Sequence, residues 1–280
     1  MTYDFIPKLS TQAGACLTVE NWEQVGVDMA SFALSALLMK PGMELLKTLP
    51  NLAAYVGWQK TLVLNASLSL KSMDDVYVLR SSYDGSRSQY TRNELLALII
   101  QLAPQMVILP QGFCRTDETL WLSLPESIFP FFPINECPDY EGQKQYGVYI
   151  EFDGVVTDAL QDQLQSHPHH LKYVIGDMSP AVLQDLVMLG ARYLESDKPA
   201  NDAYQGLIYY QEGVIAIQDA SEALEFSAID PLCECPTCQQ QLTRAYLHHL
   251  YEHTSLLCYR FLIQHNILYT HHLPQLEISI

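Results

Sequence analysis

Three cysteines fall within the six residues Cys233-Glu234-Cys235-Pro236-Thr237-Cys238, and His265 follows on a stretch of helical periodicity. Thiols at such short gaps cannot all pair with one another, and Pro236 fixes a turn between them, so the spacing predicts a tetrahedral zinc site. Three cysteines packed independently in a core would not need this clustering. From Thr243 onward, Leu247, Leu250, Leu257, Cys258 and Phe261 recur at helical spacing. One long helix is therefore expected, with His265 on its buried side as the fourth ligand. Four protein ligands leave no position for water, so such a metal would hold structure together and do no chemistry.

A chain of 280 residues with 49% hydrophobic content buries enough surface for one large domain. No apolar run reaches the roughly 20 residues that span a bilayer, so no membrane association is expected. The start, MTYDFIPKLS, lacks the basic and apolar segments of a secretory signal. The four cysteines outside the cluster are scattered. Both features predict a cytoplasmic, reducing location. The net charge of −17 comes from 32 acidic against 15 basic residues, and no basic run stands out. Nucleic-acid backbones are held by lysine and arginine displacing counterions, so this chain by itself is expected to hold them weakly.

Short apolar runs at Thr61 to Leu64, Gln105 to Leu109, Tyr146 to Ile150, Lys172 to Ile175 and Ala191 to Leu194 read as strands. Arg92 to Leu102 and Pro180 to Leu189 read as amphipathic helices. This alternation predicts an α/β fold, a (β/α) TIM-type barrel over residues 1–205. Residues 206–280 are expected to form a β-hairpin, joined through Gln211-Glu212-Gly213, and a zinc-binding helical module that completes the barrel. The segment Cys114 to Lys144 has no clear period. The interval between Gln111 and Tyr146 is short for a full strand and helix, so long loops or an incomplete barrel are expected there. The aromatic run Ile128 to Pro133 reads as a cover over one barrel end, or as a lid or partner surface. The histidines of Ser166-His167-Pro168-His169-His170 read as a solvent loop, and His248-His249 and His271-His272 as packing or contact residues on the terminal helix.

The stretch CECPTC, followed by RAYLHHL and HNILY, closely resembles the C-terminal zinc region of the tRNA-guanine transglycosylases, the queuine tRNA-ribosyltransferase family. Earlier segments are similar too. Lys40-Pro41-Gly42 resembles the family's Arg-Pro-Gly, and Gly57-Trp58 its "GW". Asp84-Gly85-Ser86-Arg87 with Thr91 resembles "DGSR…LT", and Leu171 to Gly176 resembles "RYLMGVG". The resemblance implies a barrel enzyme of queuosine tRNA modification that carries one structural zinc. Its nucleophilic aspartate would attack the ribose and displace guanine, while a second aspartate would act as acid and base.

Departures occur where that chemistry lives. "TDSGGFQ" becomes Leu64-Asn65-Ala66-Ser67-Leu68-Ser69, so Asn65 stands at the acid/base position and cannot take a proton at neutral pH. "DMFDCVLPTR" becomes Arg192 to Pro199, with Glu195 at the nucleophile position. The base-recognising aspartate becomes Gln111. Leu194-Glu195-Ser196 is similar to the Phe-Glu-Ser of the family's non-catalytic accessory subunit. Two readings follow. The first is a catalytically impaired accessory or binding subunit that pairs with itself or with an active transglycosylase through the zinc-side surface, with Tyr246, His249 and Tyr259 as contacts and only weak tRNA binding alone. The second is an active tRNA-ribosyltransferase that exchanges guanine for a 7-deazaguanine with Glu195 as nucleophile.

Overall fold

A computed structural model describes residues 3–68, 76–115, 117–138, 140 and 142–276. Ser69, at the end of the segment around Asn65, lies outside the described residues. In chain order the strands are β1 (Asp4–Pro7), β2 (Met29–Ala33), β3 (Thr61–Asn65), β4 (Val76–Arg80), β5 (Arg87–Thr91) and β6 (Met106–Ile108). They continue with β7 (Phe129–Pro133), β8 (Gly147–Phe152), β9 (Lys172–Gly176), β10 (Tyr193–Ser196), β11 (Leu207–Tyr210) and β12 (Gly213–Ala216). Eight of them run parallel in one sheet, in the order β1-β10-β9-β8-β7-β6-β3-β2. β4 and β5 make an antiparallel hairpin between β3 and the helix Arg92–Leu102, and β11 and β12 make a second one. The barrel closes thinly between β1 and β2, where one parallel bridge, Lys8 with Ser31, and the bond from Leu9 N to Ser31 O (2.9 Å) join the edges.

All eight barrel strands are therefore present in a nearly closed barrel, and the expected departure in its middle takes the form of a long loop rather than a lost strand. Between β6 and β7 the described residues form no α-helix, and a single 3-10 turn at Leu120–Ser123 stands in its place. The aromatic run is itself a barrel strand and no cover or lid. Its prolines hid it, because a proline cannot donate to a ladder and argues against an inner strand. Here each proline escapes that cost. Phe129 N donates to Gln105 O and Phe131 O accepts from Leu109 N, the residues flanking β6, so Pro130 turns its nitrogen toward β8, below the point where β7 and β8 begin to pair at Phe131 and Gly147. Pro133 lies past the last β6 partner of β7.

Strand alternation divides the core. Inward residues fill the barrel: Ile6, Val63, Met106, Ile108, Phe131, Tyr149, Tyr173 and Ile175 form one buried cluster. Phe131 sits at its centre, 5.1 Å from Tyr173 and 5.7 Å from Tyr193 by ring centroids. It fits because its strand neighbour is glycine: a Cβ on Gly147 would stand 2.4 Å from the Phe131 ring. Outward residues join the helices and the C-terminal region in the larger apolar cluster.

The expected single terminal helix is two helices, Arg244–His253 and Ser255–Leu276, broken at Thr254 (φ −142°, ψ 57°). Apolar spacing continues across the break, which is why periodicity alone merges the two. The first helix packs on the turn Glu222–Leu224. The second packs on the helix Lys198–Tyr204 and strands β1 and β11. Among the described residues, no helix is long and apolar enough to cross a membrane.

Candidate functional site

Two buried polar constellations stand out, one at the C-terminal hairpin and one at the barrel mouth. At the first, Cys235 caps the short helix Pro236–Gln239 and accepts from Cys238 N at 3.3 Å. This cap folds the three thiols onto one point. The ligand atoms of Cys233, Cys235, Cys238 and His265 all lie within 4.8 Å of one another. His265 Nδ1 is 3.6 Å from the sulfurs of Cys233 and Cys235 and 3.3 Å from that of Cys238. Tetrahedral zinc, with bonds of about 2.3 Å to sulfur and about 2.05 Å to nitrogen, sets sulfur and nitrogen about 3.5 Å apart. The four residues fit a zinc ion.

The surroundings of the cluster complete the fit. His265 Nε2 donates to Tyr209 O at 2.7 Å, which leaves the Nδ1 lone pair facing the thiols. The next residue, Asn266, accepts from Tyr209 N at 2.9 Å and donates to Pro199 O and Leu207 O at 3.1 and 2.9 Å. One turn of helix therefore holds the edge of β11 that faces away from β12. Hydrogen bonds from Cys233 and Cys238 hold the Cys235 thiol well below its ordinary value. Sequence reasoning missed Asn266; its only signal was an amide amid an apolar helix.

At the mouth, Asn65 ends β3 and Glu195 lies on β10, and the fold brings them into contact. Asn65 Nδ2 donates to Glu195 Oε1 at 2.7 Å, and Asn65 Oδ1 accepts from Ser67 N and Oγ at 3.0 and 2.7 Å. Tyr173, inward on β9, donates its hydroxyl to Glu195 Oε2 at 2.7 Å. Burial, then the Glu195 charge, push the Tyr173 phenol well up, so it stays a donor. Lys8 Nζ lies 3.6 Å from Glu195 Oε1. Glu195 is 1% exposed, with both oxygens engaged and a cation beside them. Sequence reasoning also missed Tyr173 and Lys8 as its partners, since neither is near it in the chain.

Next to it, Asp197 accepts from Thr11 Oγ1 at 2.9 Å. Burial raises its carboxyl to about 6 against the opposing effects of Thr11 and Lys8. Gln111 is not brought onto this network. It follows β6, tied through its backbone: its N donates to Leu68 O at 3.1 Å, and its O accepts from the Tyr77 hydroxyl at 2.8 Å. Beside it opens a cleft of about 460 Å³ lined by Phe113, Cys114, Arg115, Phe132 and Glu136. Of the expected contact residues, Tyr246 and His249 are exposed, whereas Tyr259 stacks on Tyr204 at 4.3 Å within the chain.

A family model for queuine tRNA-ribosyltransferase matches residues 151–275, which include Glu195 and all four metal ligands. The chain is 38% identical over 102 residues to the queuine tRNA-ribosyltransferase of Desulfosudis oleivorans, over 36% of this chain and 26% of that protein. Longer similarities are lower. The enzyme of that name from Dehalococcoides mccartyi is 23% identical over 97% of this chain and 80% of its own length. The one from Sorangium cellulosum is 25% identical over 82% of this chain and 69% of its own. Similarity thus runs from the barrel strands through the metal cluster, and residues 151–275 match the queuine tRNA-ribosyltransferase family model.

Proposed function

We propose that this chain is a non-catalytic member of its family, an accessory or binding subunit in queuosine modification of tRNA. The observation that carries this reading is the contact between Asn65 and Glu195 at 2.7 Å. A nucleophilic carboxylate needs a free lone pair aimed at the substrate, and a proton shuttle needs a second ionisable group within reach. Glu195 spends its oxygens on Asn65, Tyr173 and Lys8. Asn65 donates where an acid/base carboxylate would accept. The network works as a buried strut linking β1, β3, β9 and β10, as satisfied polar networks in cores do. The retained metal module supports a role in assembly, with a second copy or an active transglycosylase on the zinc side, where Leu224, Phe226 and Leu232 are exposed.

Incubation with tRNA and a 7-deazaguanine base, followed by denaturing electrophoresis, tests the reading. No covalent protein–tRNA adduct is expected. An adduct that forms and is lost in Glu195→Gln would establish the enzyme reading instead. Sedimentation at high micromolar concentration tests the assembly role. A strict monomer that also fails to recruit an active family member would remove it.

A further inference from the structure

Basic residues are scarce in this chain, and half of those described have the following partners. Lys8, Lys47, Lys60, Arg192, Lys198 and Arg244 each have a carboxylate partner. Lys144 donates to three backbone carbonyls. No ion pair among the described residues involves the exposed Arg115 and Arg260, nor the exposed Lys40, Arg80 and Arg87, and these last three belong to one region of the chain's surface. The fold gathers them. Arg80 and Arg87 are direct cross-strand partners in the β4–β5 hairpin, so their side chains leave the same face. Lys40 Nζ lies over the ring of Tyr83, in the hairpin turn, 3.8 Å from its centroid. Tyr83 itself is 65% exposed.

Like charges placed directly opposite on a hairpin are unfavourable, and here no described acid relieves them. Asp84, the acid in the turn, is used locally, accepting from Ser86 N and Oγ at 3.0 and 2.7 Å. Those bonds, with a further one from Ser81, lower its carboxyl to about 2. An unrelieved cationic patch with an exposed ring, on a chain of net charge −17, is complementary to a polyanion that also offers flat faces. RNA has both, in its phosphates and its bases. The placement is also suitable. Lys40 follows β2, and the hairpin follows β3, so the patch rises from the C-terminal ends of strands, the barrel side that bears Asn65 and Glu195.

We infer that Lys40, Arg80, Arg87 and Tyr83 form an RNA-backbone contact on the rim of the barrel mouth, which lets an otherwise acidic chain engage tRNA. The inference rests on the reading that the chain handles tRNA, but not on whether it is catalytic. Binding of fluorescein-labelled total tRNA, followed by anisotropy between about 50 and 200 mM salt, tests it. Arg80→Gln/Arg87→Gln should weaken binding on the order of tenfold and lower the salt slope by about 1.5. Tyr83→Ala should weaken it a few-fold with the slope unchanged. Arg260→Glu makes the same change in net charge at an exposed site away from the hairpin, and should have little effect.

Equal weakening by Arg260→Glu and the double variant would mean that overall charge acts rather than a site, and would overturn the inference. So would wild-type binding that the double variant leaves intact, or no measurable wild-type binding at the lowest salt. Polyglutamate displacing tRNA at equal charge concentration would assign the patch to acidic protein instead and also overturn it. Adduct formation in the trapping experiment would sink the non-catalytic reading while leaving these outcomes as they stand.

Discussion

The metal module and the barrel mouth are both buried polar sites, built in opposite ways. Around the metal cluster every group points inward with a lone pair to give: three sulfurs and Nδ1 converge, and Nε2 is held back by Tyr209 O. Around Glu195 the groups satisfy each other, with Asn65, Tyr173 and Lys8 turned on one carboxylate. The first arrangement is incomplete without a ligand. The second is complete without one. A site that binds leaves valence unspent, whereas a network whose groups satisfy one another spends it internally.

Metal removal should have the largest effect. Structural zinc in small modules contributes about 10–16 kcal/mol of apparent binding energy at neutral pH. Stripping it, or Cys238→Ser, should therefore unfold the region from the β11–β12 hairpin onward, seen as lost helical circular dichroism and new protease sites. Elemental analysis of unstripped protein should give one zinc per chain. Less than about half an equivalent would break the contrast at its stronger end.

Glu195→Ala comes next. It leaves Lys8, the Tyr173 hydroxyl and the Asn65 amide without their acceptor, and removing one partner of a buried charged network costs about 3–5 kcal/mol. A loss below about 1 kcal/mol in urea denaturation would mean that the carboxylate is not a strut. Asn65→Asp should not restore base exchange. It would press two carboxylates together and raise the pKa of the pair. Their proton is then bound more tightly in the folded state, so stability is retained at low pH and lost as pH rises through the raised value. The loss is roughly 1.4 kcal/mol for each tenfold tightening of proton binding. A variant as stable at about pH 8 as at about pH 5 would contradict this.

Asp197→Asn should give the smallest change, and a favourable one. With its folded carboxyl raised to about 6, Asp197 costs no stability below the unfolded value near 3.8, and its ionisation costs stability as pH rises toward and past 6. Asparagine keeps the acceptor for Thr11 without the charge. The variant should gain about 1–2 kcal/mol at about pH 7, after allowance for solvent screening, and nothing near about pH 4.

Much of the barrel was legible because its strands are short apolar runs between polar turns. β3, β6, β8, β9 and β10 and the helices Arg92–Leu102 and Pro180–Met188 lie where the pattern puts them. β7 was not legible, since Pro130 and Pro133 carry the signature of a non-strand, and only the offset of its neighbours makes their missing donors harmless. The break at Thr254 was hidden by apolar spacing that runs through it. The metal ligands were legible because their chemistry requires a tight spacing within one short segment. Glu195 and Asn65 could be singled out only by resemblance, and nothing local marks Tyr173 or Lys8 as their partners.

By itself, the sequence determined which residues can ligate a metal, which segments alternate as strands and helices, and that few cations are available. These properties are local, written in residue type and spacing. Tertiary structure alone decided that Glu195 is closed in by residues from three other strands and their ends. It also decided that Lys40 lies over Tyr83 in the turn of the hairpin that bears Arg80 and Arg87, and that His265 aims Nδ1 rather than Nε2 at the thiols. Each depends on the register in which distant strands meet and on hydrogen bonds between segments far apart in the chain. Burial then turns those meetings into fixed charge and fixed geometry.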